Sequence, residues 1–228
     1  MKTKAISLLI ILFVIGFMGT AIECLNQGTA FAQSEDEALG LYQKGQEAYQ
    51  YGRYREALDY FERSLKIFIQ INNLKGISDN LNYIGLVYDS IGRYDKALKY
   101  LNESLKIFRQ LNIPQSIATS LNNIGSAYKS LGRYDDALKH YEEALKIFRE
   151  LNIPQGIATI LNNIGEIYNS LGQHEKALNY YEESSKIVRQ LNIPDYIAGS
   201  LSNIGLVYYS LGQYEKALSY YEESLNIF

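Results

Sequence analysis

Cysteine is nearly absent from this chain of 228 residues, which has one cysteine, no tryptophan, three prolines and two histidines. A single thiol, Cys24, can form neither an intrachain disulfide nor a thiolate zinc site, so cross-links do not hold this fold together. The histidines, His140 and His174, lie far apart in the sequence and have no further nitrogen or thiolate ligand at metal spacing. The sequence therefore predicts no metal site and no cofactor.

Basic residues are too few and too scattered to indicate a nucleic-acid-binding protein. Lys and Arg total 22 against 25 Asp and Glu, which gives a formal net charge of −3. Nucleic-acid binding requires clustered Lys and Arg side chains that neutralise phosphates. We therefore exclude nucleic acid as a partner.

Residues 1–32 differ in composition from the rest of the chain. Lys2 and Lys4 lie near the start, an apolar stretch follows over residues 5–22, and the segment ends with small residues at Ala30 and Ala32. This order is typical of a secretory signal peptide cleaved before Gln33, which predicts export to the periplasm or the medium. The alternative is that residues 5–22 remain as a membrane anchor, and only then would the chain contact a membrane.

The remainder of the chain repeats itself with a period of 40 residues. Glycine marks the same column in five copies, at Gly45, Gly85, Gly125, Gly165 and Gly205. Such repetition is typical of proteins that grow by stacking small units. We expect an array of five helix pairs over residues 34–228. The pairs are expected at about residues 34–75, 76–114, 115–154, 155–194 and 195–228.

Each copy has the pattern of two helices joined by a tight turn, as the third copy illustrates. Apolar or small residues recur three and four positions apart before and after Gly132, which is the periodicity of amphipathic helices. Gly132 suits a left-handed residue that ends the first helix, and Asn152 can end the second in the same way. Pro154 then fits the first turn of the next helix. In the first copy, Ser34 and Glu37 form a capping box that predicts the start of the array.

The third copy, LNNIGSAYKSLGRYDDALKHY, resembles the tetratricopeptide repeat in its Leu, Ile, Gly and Tyr before the turn and its Gly, Tyr, Ala and Tyr from the turn onward. The resemblance implies an all-α fold, a right-handed superhelical solenoid of antiparallel helix hairpins. The unit is longer than the usual ~34 residues, and in this it resembles kinesin light chain and bacterial peptide-sensing and exported repeat proteins. Such proteins bind extended peptides or partner domains in a concave groove, which is what the resemblance implies here. The first copy departs from the pattern at Lys44 and Ala48, as expected of an end cap.

Neighbouring asparagines recur on the first helix of the central copies. Leu121, Ile124 and Gly125 share the face that packs on the second helix, so Asn122 and Asn123 are expected to line the inner wall of the solenoid. A row of uncharged amides, each with two donors and an acceptor, suits the backbone of an extended peptide. The predicted partner-binding residues are Asn82, Asn122, Asn123, Lys129, Asn162, Asn163, Glu166, Asn169, Asn203 and Tyr209. The alternative is that the asparagines bridge adjacent helices or simply face water.

No catalytic constellation is evident in the sequence. Adjacent carboxylates such as Glu142 and Glu143 point about 100° apart on a helix, so they do not converge on one substrate atom. We expect a non-enzymatic scaffold that binds a peptide segment or a partner protein. Two alternatives are a truncated regulatory arm of a larger signalling or protease-like protein and a self-assembling structural module. The chain stops at Phe228 inside the last predicted helix, and the apolar surface exposed there would favour self-association through that end.

Overall fold

The computed structural model describes residues 32–227 of the chain, and that part contains helices and no strand. The first helix, α1, covers residues 32–50. The following helices are α2 Tyr54–Gln70, α3 Leu74–Ser90, α4 Tyr94–Gln110, α5 Pro114–Ser130, α6 Tyr134–Glu150, α7 Pro154–Ser170, α8 His174–Leu191, α9 Pro194–Ser210 and α10 Tyr214–Leu225. The helices form consecutive packed hairpins, which confirms the predicted all-α class.

The predicted signal peptide or anchor lies, apart from Ala32, outside the described residues. Within residues 32–227, no helix is long and apolar enough to cross a bilayer. Ala32 and Gln33 already belong to α1. This helix therefore begins before Ser34, and the predicted capping box at that residue is wrong as a helix start. The physical reason is that alanine and glutamine are strong helix formers, so the helix continues past the candidate cap.

The chain divides into two compact units, and the division falls within α3. The N-terminal unit extends to Asn80, and the C-terminal unit starts at Leu81. In the N-terminal unit, α1 packs on α2 with Gly45 directly against the ring of Phe61, where an added Cβ would lie 2.6 Å from Cε1. The two helices of this hairpin therefore cross at close range.

In the C-terminal unit, successive helices from α4 to α10 pack in order, each against the next. α5 also contacts α7, and α7 contacts α9. We call α5, α7, α9 and the part of α3 in this unit the A helices, and α4, α6, α8 and α10 the B helices. A core cluster of the two layers includes Leu101, Leu121, Ile124, Tyr141 and Ile164. This unit is thus a stack of hairpins in which the A helices form one continuous layer.

Left-handed residues end the helices at the predicted positions. Gly132 has a φ of 72° and Asn152 a φ of 52°, so both occupy the region that ends a helix. The same geometry recurs at Gly52, Gly92, Gly172 and Gly212 and at Asn72, Asn112 and Asn192. Pro154 occupies the first turn of α7, as predicted. The period of 40 residues therefore arises from two helices and two left-handed turns.

A column of glycines lets the A and B helices approach each other closely. A Cβ added to Gly125 would lie 2.6 Å from Cε1 of Tyr141, closer than real Cβ atoms approach a neighbour. Tyr141 is fully buried, so its ring fills the space next to the glycine. Gly165 and Tyr181 repeat the contact at 2.7 Å. These contacts determine which side of each A helix faces the B helices and which side remains open.

Candidate partner-binding surface

The open side of the A helices carries the residues that the sequence predicts to bind a partner, except Asn82, which is buried. We call this side the A-helix surface. Leu121 and Ile124 are buried against the B helices, whereas Asn122 and Asn123 between them are half-buried. The asparagines thus point away from the hairpin core. Their positions repeat on α7, where Asn162 and Asn163 are also half-buried.

Amide side chains bridge each A helix to the next. Asn123 Nδ2 donates to Asn82 Oδ1 at 3.1 Å, Asn163 Nδ2 to Asn122 Oδ1 at 2.8 Å, and Asn203 Nδ2 to Asn162 Oδ1 at 2.8 Å. The asparagines therefore do bridge adjacent helices, which is the alternative that the sequence left open. Each bridge uses one of the two N–H groups of the donor and one lone pair of the acceptor. The bridges orient the amides without exhausting their hydrogen-bonding capacity.

Bonds along the same helices connect the amides to a charged pair. Asn122 Nδ2 donates to Asn123 Oδ1 at 3.3 Å, and Asn162 Nδ2 donates to Glu166 Oε1 at 3.1 Å. The other carboxylate oxygen of Glu166 accepts from Lys129 Nζ at 2.5 Å, so an ion pair joins α7 to α5. These bonds form two polar networks along the A-helix surface. One runs from Asn163 through Asn122 and Asn123 to Asn82, and the other joins Asn203, Asn162, Glu166 and Lys129. We call the three bridges between asparagines of successive A helices the amide ladder.

Two ionisable groups that interact with Lys129 or Glu166 have raised pKa values. Burial raises the pKa of the Asp89 carboxyl, and the positive charge of Lys129 opposes that shift. Burial raises the pKa of the Tyr141 phenol to about 12. The Ser126 hydroxyl, 3.1 Å from that of Tyr141, opposes this rise, while the negative charge of Glu166 adds to it. Tyr141 is fully buried and remains neutral at physiological pH, with its hydroxyl bonded to that of Ser126.

The C-terminal end of the A-helix surface is aromatic and apolar. Tyr209 is 57% exposed, and its ring meets that of Tyr214 edge to face with the centroids 5.4 Å apart. Leu206, one turn earlier on α9, is also exposed. In the preceding repeat the equivalents of the two tyrosines are Asn169 and His174, whose Oδ1 and Nδ1 atoms lie 3.1 Å apart. The surface thus changes from polar and charged on α5 and α7 to aromatic on α9.

Clefts open between the N-terminal halves of successive A helices. The cleft between α7 and α9 has a volume of about 280 Å³. Its lining includes Asn162, Asn163, Val188, Tyr196, Gly199 and Asn203. A cleft of about 410 Å³ lies at the equivalent place between α5 and α7. The sequence prediction missed both clefts. The signal that could have found them is that Tyr196 and Gly199 differ from the residues in the same columns of the two preceding repeats.

The candidate metal ligands lie apart from one another. Within residues 32–227, no group of three His, Cys, Asp or Glu residues is close enough to hold a metal ion. His140 instead packs against the ring of Tyr128, with the centroids 5.2 Å apart. Its Nδ1 lies 2.7 Å from the Asp136 carbonyl oxygen. This histidine therefore occupies the place of the tyrosine found in other repeats.

Known proteins of similar structure have the same hairpin architecture. BtubC (BKLC) from P. vanneervenii is 23% identical with a TM-score of 0.71, and the match covers 89% of each chain. The putative kinesin light chain repeats of Podosopora anserina are 16% identical with a TM-score of 0.68, over 85% of this chain and 95% of theirs. The Rap conjugation gene regulator of plasmid pLS20, solved in complex with the Phr* peptide, is 20% identical with a TM-score of 0.72. That match covers 82% of this chain but 52% of the regulator, so the chain spans about half the regulator's length.

Sequence comparison places the repeats in a family. No curated protein sequence matches the chain. A profile of the tetratricopeptide repeat, however, matches residues 76–150 and 156–228. A second profile of the same repeat matches residues 122–187. Because the matched segments cover more than half of the chain and coincide with the stacked hairpins, the protein belongs to the tetratricopeptide repeat family.

Proposed function

We propose that this protein is a non-enzymatic scaffold that binds an extended peptide, or such a segment of a partner protein, along the A-helix surface. The observation that carries the proposal is the amide ladder, in which three bridges hold asparagines in a row across four A helices. An extended backbone has N–H and C=O groups that require partners when they are buried. The bridges already restrict the amide side chains, so the amides lose little conformational freedom when a peptide binds.

Solved relatives support a peptide as the class of ligand. The pLS20 Rap regulator was solved with the Phr* peptide, and another Rap protein with Competence and Sporulation Factor. Their TM-scores with this chain are 0.72 and 0.76, and the chain spans 52% and 54% of their lengths. The support extends to the fold and the class of ligand, whereas the choice of peptide depends on the side chains of this chain.

Those side chains favour a peptide whose character changes along its length. Lys129 and Glu166 place both charges at the centre of the A-helix surface, where polar or charged peptide side chains can compete for them. Tyr209 and Leu206 are exposed at the other end, where apolar side chains gain most from leaving water. We therefore expect selected peptides to combine a polar segment with an apolar one.

Removal of the donor amides tests the proposal. In a variant with Asn123, Asn163 and Asn203 all changed to Ala, we expect binding of peptides selected from a random-peptide phage library to be lost. The matched control changes Asn102 and Asn179 to Ala, because these amides are exposed on B helices away from the ladder. The control should bind as the wild type does. A lower melting temperature with undiminished peptide binding would show that the amides only bridge helices, and it would refute the proposal.

An apolar stripe on α10 supports a second interaction, which is self-association. Leu218 is 58% and Leu225 is 77% exposed, whereas Leu145, the equivalent of Leu225 on α6, is 8% exposed. We propose that α10 of a second copy covers this stripe. α1 of a second copy is the poorer occupant, because it exposes Glu37 and Lys44 at the positions where the later A helices have isoleucine.

Sedimentation velocity of the full chain over a range of concentrations tests this association. We expect a dimer that dissociates on dilution, and a Leu225→Glu variant that is monomeric at every concentration. Leu131→Glu, at an exposed leucine in a turn, is the control and should behave as the wild type does. A wild-type chain that is monomeric throughout would contradict the proposal.

We also propose that the protein is exported, on the basis of the composition of residues 1–32. Sequencing of the mature amino terminus checks this. A terminus at Gln33 in the exported fraction supports a cleaved signal peptide. An intact segment over residues 5–22 in the membrane fraction would favour an anchor instead.

A further inference from the structure

Gly199 occupies a position where neither packing nor backbone conformation requires a glycine. It lies inside α9 (Pro194–Ser210), where glycine weakens a helix relative to alanine. An added Cβ would have no heavy atom within 4 Å. Gly125, by contrast, packs directly on an aromatic ring, and Gly132 has a left-handed φ. The consequence of the glycine at position 199 is open space on the wall of the cleft between α7 and α9.

Two further residues of this cleft differ from their equivalents in the cleft between α5 and α7. In the equivalent cleft between α5 and α7, Phe148 lies directly below Gly156, whose added Cβ would be 2.6 Å from the Phe148 ring. In the cleft between α7 and α9, the smaller Val188 replaces that phenylalanine and Tyr196 replaces that glycine. The aromatic ring has thus moved from the buried floor to the rim, where Tyr196 is 42% exposed. A ring at the rim is available to a ligand, whereas a ring in the floor is not.

The remaining lining suits one side chain of a bound peptide. A volume of about 280 Å³ is below the ~300–1,000 Å³ of sites that hold a whole small-molecule ligand. Ala158 and Val188, both 1% exposed, supply apolar surface. Asn203 and Asn162, bridged at 2.8 Å, border the cleft with amides that can hold the peptide backbone on either side of an inserted side chain.

We propose that the cleft between α7 and α9 is the specificity-determining subsite of the A-helix surface and receives one large apolar side chain of the bound peptide. Gly199 provides the entrance, Val188 the floor and Tyr196 an aromatic wall. The equivalents of Gly199 in the two preceding repeats are Thr119 and Thr159, so of these three repeats only this one has a wall position without a side chain. The inference rests on the proposed function, because it assigns a subsite to the same peptide-binding surface.

The test uses peptides selected from a random-peptide phage library on the full wild-type chain and then synthesised. We expect the peptides to share one large apolar residue, and its replacement by Ala to weaken wild-type binding about tenfold or more. In Gly199→Thr, which restores the residue of the preceding repeats, binding should weaken to a similar degree. The alanine-substituted peptide should then bind this variant no more weakly than the unsubstituted peptide does.

Stability measurements show whether weaker binding comes from a filled subsite or from a less stable fold. Gly199→Thr and Gly199→Ala should melt at or above the wild-type temperature, because both residues have higher helix propensity than glycine. The matched control is Gly40→Ala, another helical glycine with open space around its Cβ, which should leave the Kd unchanged. An unchanged Kd in Gly199→Thr would overturn the subsite while leaving the proposed function intact. A library that yields no binding peptide would refute the proposed function and this inference with it.

Discussion

Replacement of Gly125 is the most direct test of the hairpin packing, because this glycine lies between a helix backbone and a buried ring. A Cβ at this position would lie 2.6, 2.7 and 3.0 Å from Cε1, Cδ1 and Cζ of Tyr141. Tyr141 is 0% exposed, so its ring cannot move aside into solvent. The substitution therefore requires the ring or the A helix to shift within a packed core.

Two opposing effects determine the magnitude. Alanine at Gly125 recovers up to about 1 kcal/mol of helix propensity, whereas overpacking costs about 1–3 kcal/mol. Alanine should therefore destabilise by up to about 2 kcal/mol. Valine should destabilise by more than about 1 kcal/mol, because its branched side chain recovers less propensity and adds two methyl groups against the ring.

Gly199→Ala is the control for Gly125→Ala. It adds the same methyl group without overpacking, because the methyl group meets open space there. It should stabilise by up to about 1 kcal/mol. Urea unfolding followed by circular dichroism measures both variants. The difference between Gly199→Ala and Gly125→Ala should be about 1–3 kcal/mol, since only the overpacking cost differs. Equal stabilities for the two alanine variants, or a Gly125→Val chain as stable as the wild type, would refute the assigned packing.

Three further predictions concern ionisation and hydrogen bonding. Burial raises the pKa of Tyr141 to about 12 from 10.0, so its neutral form contributes stability that is complete below about pH 10 and is lost as the pH rises toward 12. Urea unfolding at about pH 9 and about pH 11.5 should therefore show a smaller loss of stability in Tyr141→Phe than in the wild type. The ion pair of Arg149 and Glu183 has side chains that are 53% and 49% exposed, so Arg149→Ala should change the free energy of unfolding by less than about 0.5 kcal/mol in the same assay. Asn163→Ala leaves the half-buried Asn122 Oδ1 without its donor and should destabilise by about 1 kcal/mol, and an unchanged melting curve would contradict the bridge.

The hairpins could be predicted from the sequence because their signals are local. Gly132, Asn152 and Pro154 act through the φ angle that each residue favours, and that preference depends little on the rest of the molecule. The start of α1 was mispredicted for a related reason. A capping box at Ser34 is also a local signal, but it competes with helix formers on its N-terminal side, and here the helix continued through them.

Whether the asparagines bond to one another depends on distances between helices, and short-range sequence patterns do not determine those distances. Asn123 and Asn82 lie 41 residues apart, and whether their amides meet depends on how closely two A helices approach. That approach is decided by how successive hairpins stack, because each B helix also packs against the A helix of the next hairpin. The cleft at Gly199 could not be predicted for the same reason, because a missing side chain becomes an opening only when its neighbours leave the space unfilled.

The sequence by itself determined the repeat period, the helix boundaries to within a residue or two at most turns, and the face of each A helix that carries its amides. These follow from backbone preferences and from the 3.6-residue periodicity, which act within one or two turns of helix. Only the tertiary structure decided that the amides bond to one another, that Lys129 meets Glu166, and that one cleft exchanges a buried ring for an exposed one. Those outcomes depend on side chains about 40 residues apart in sequence, whose separation is set by the close packing of whole helices.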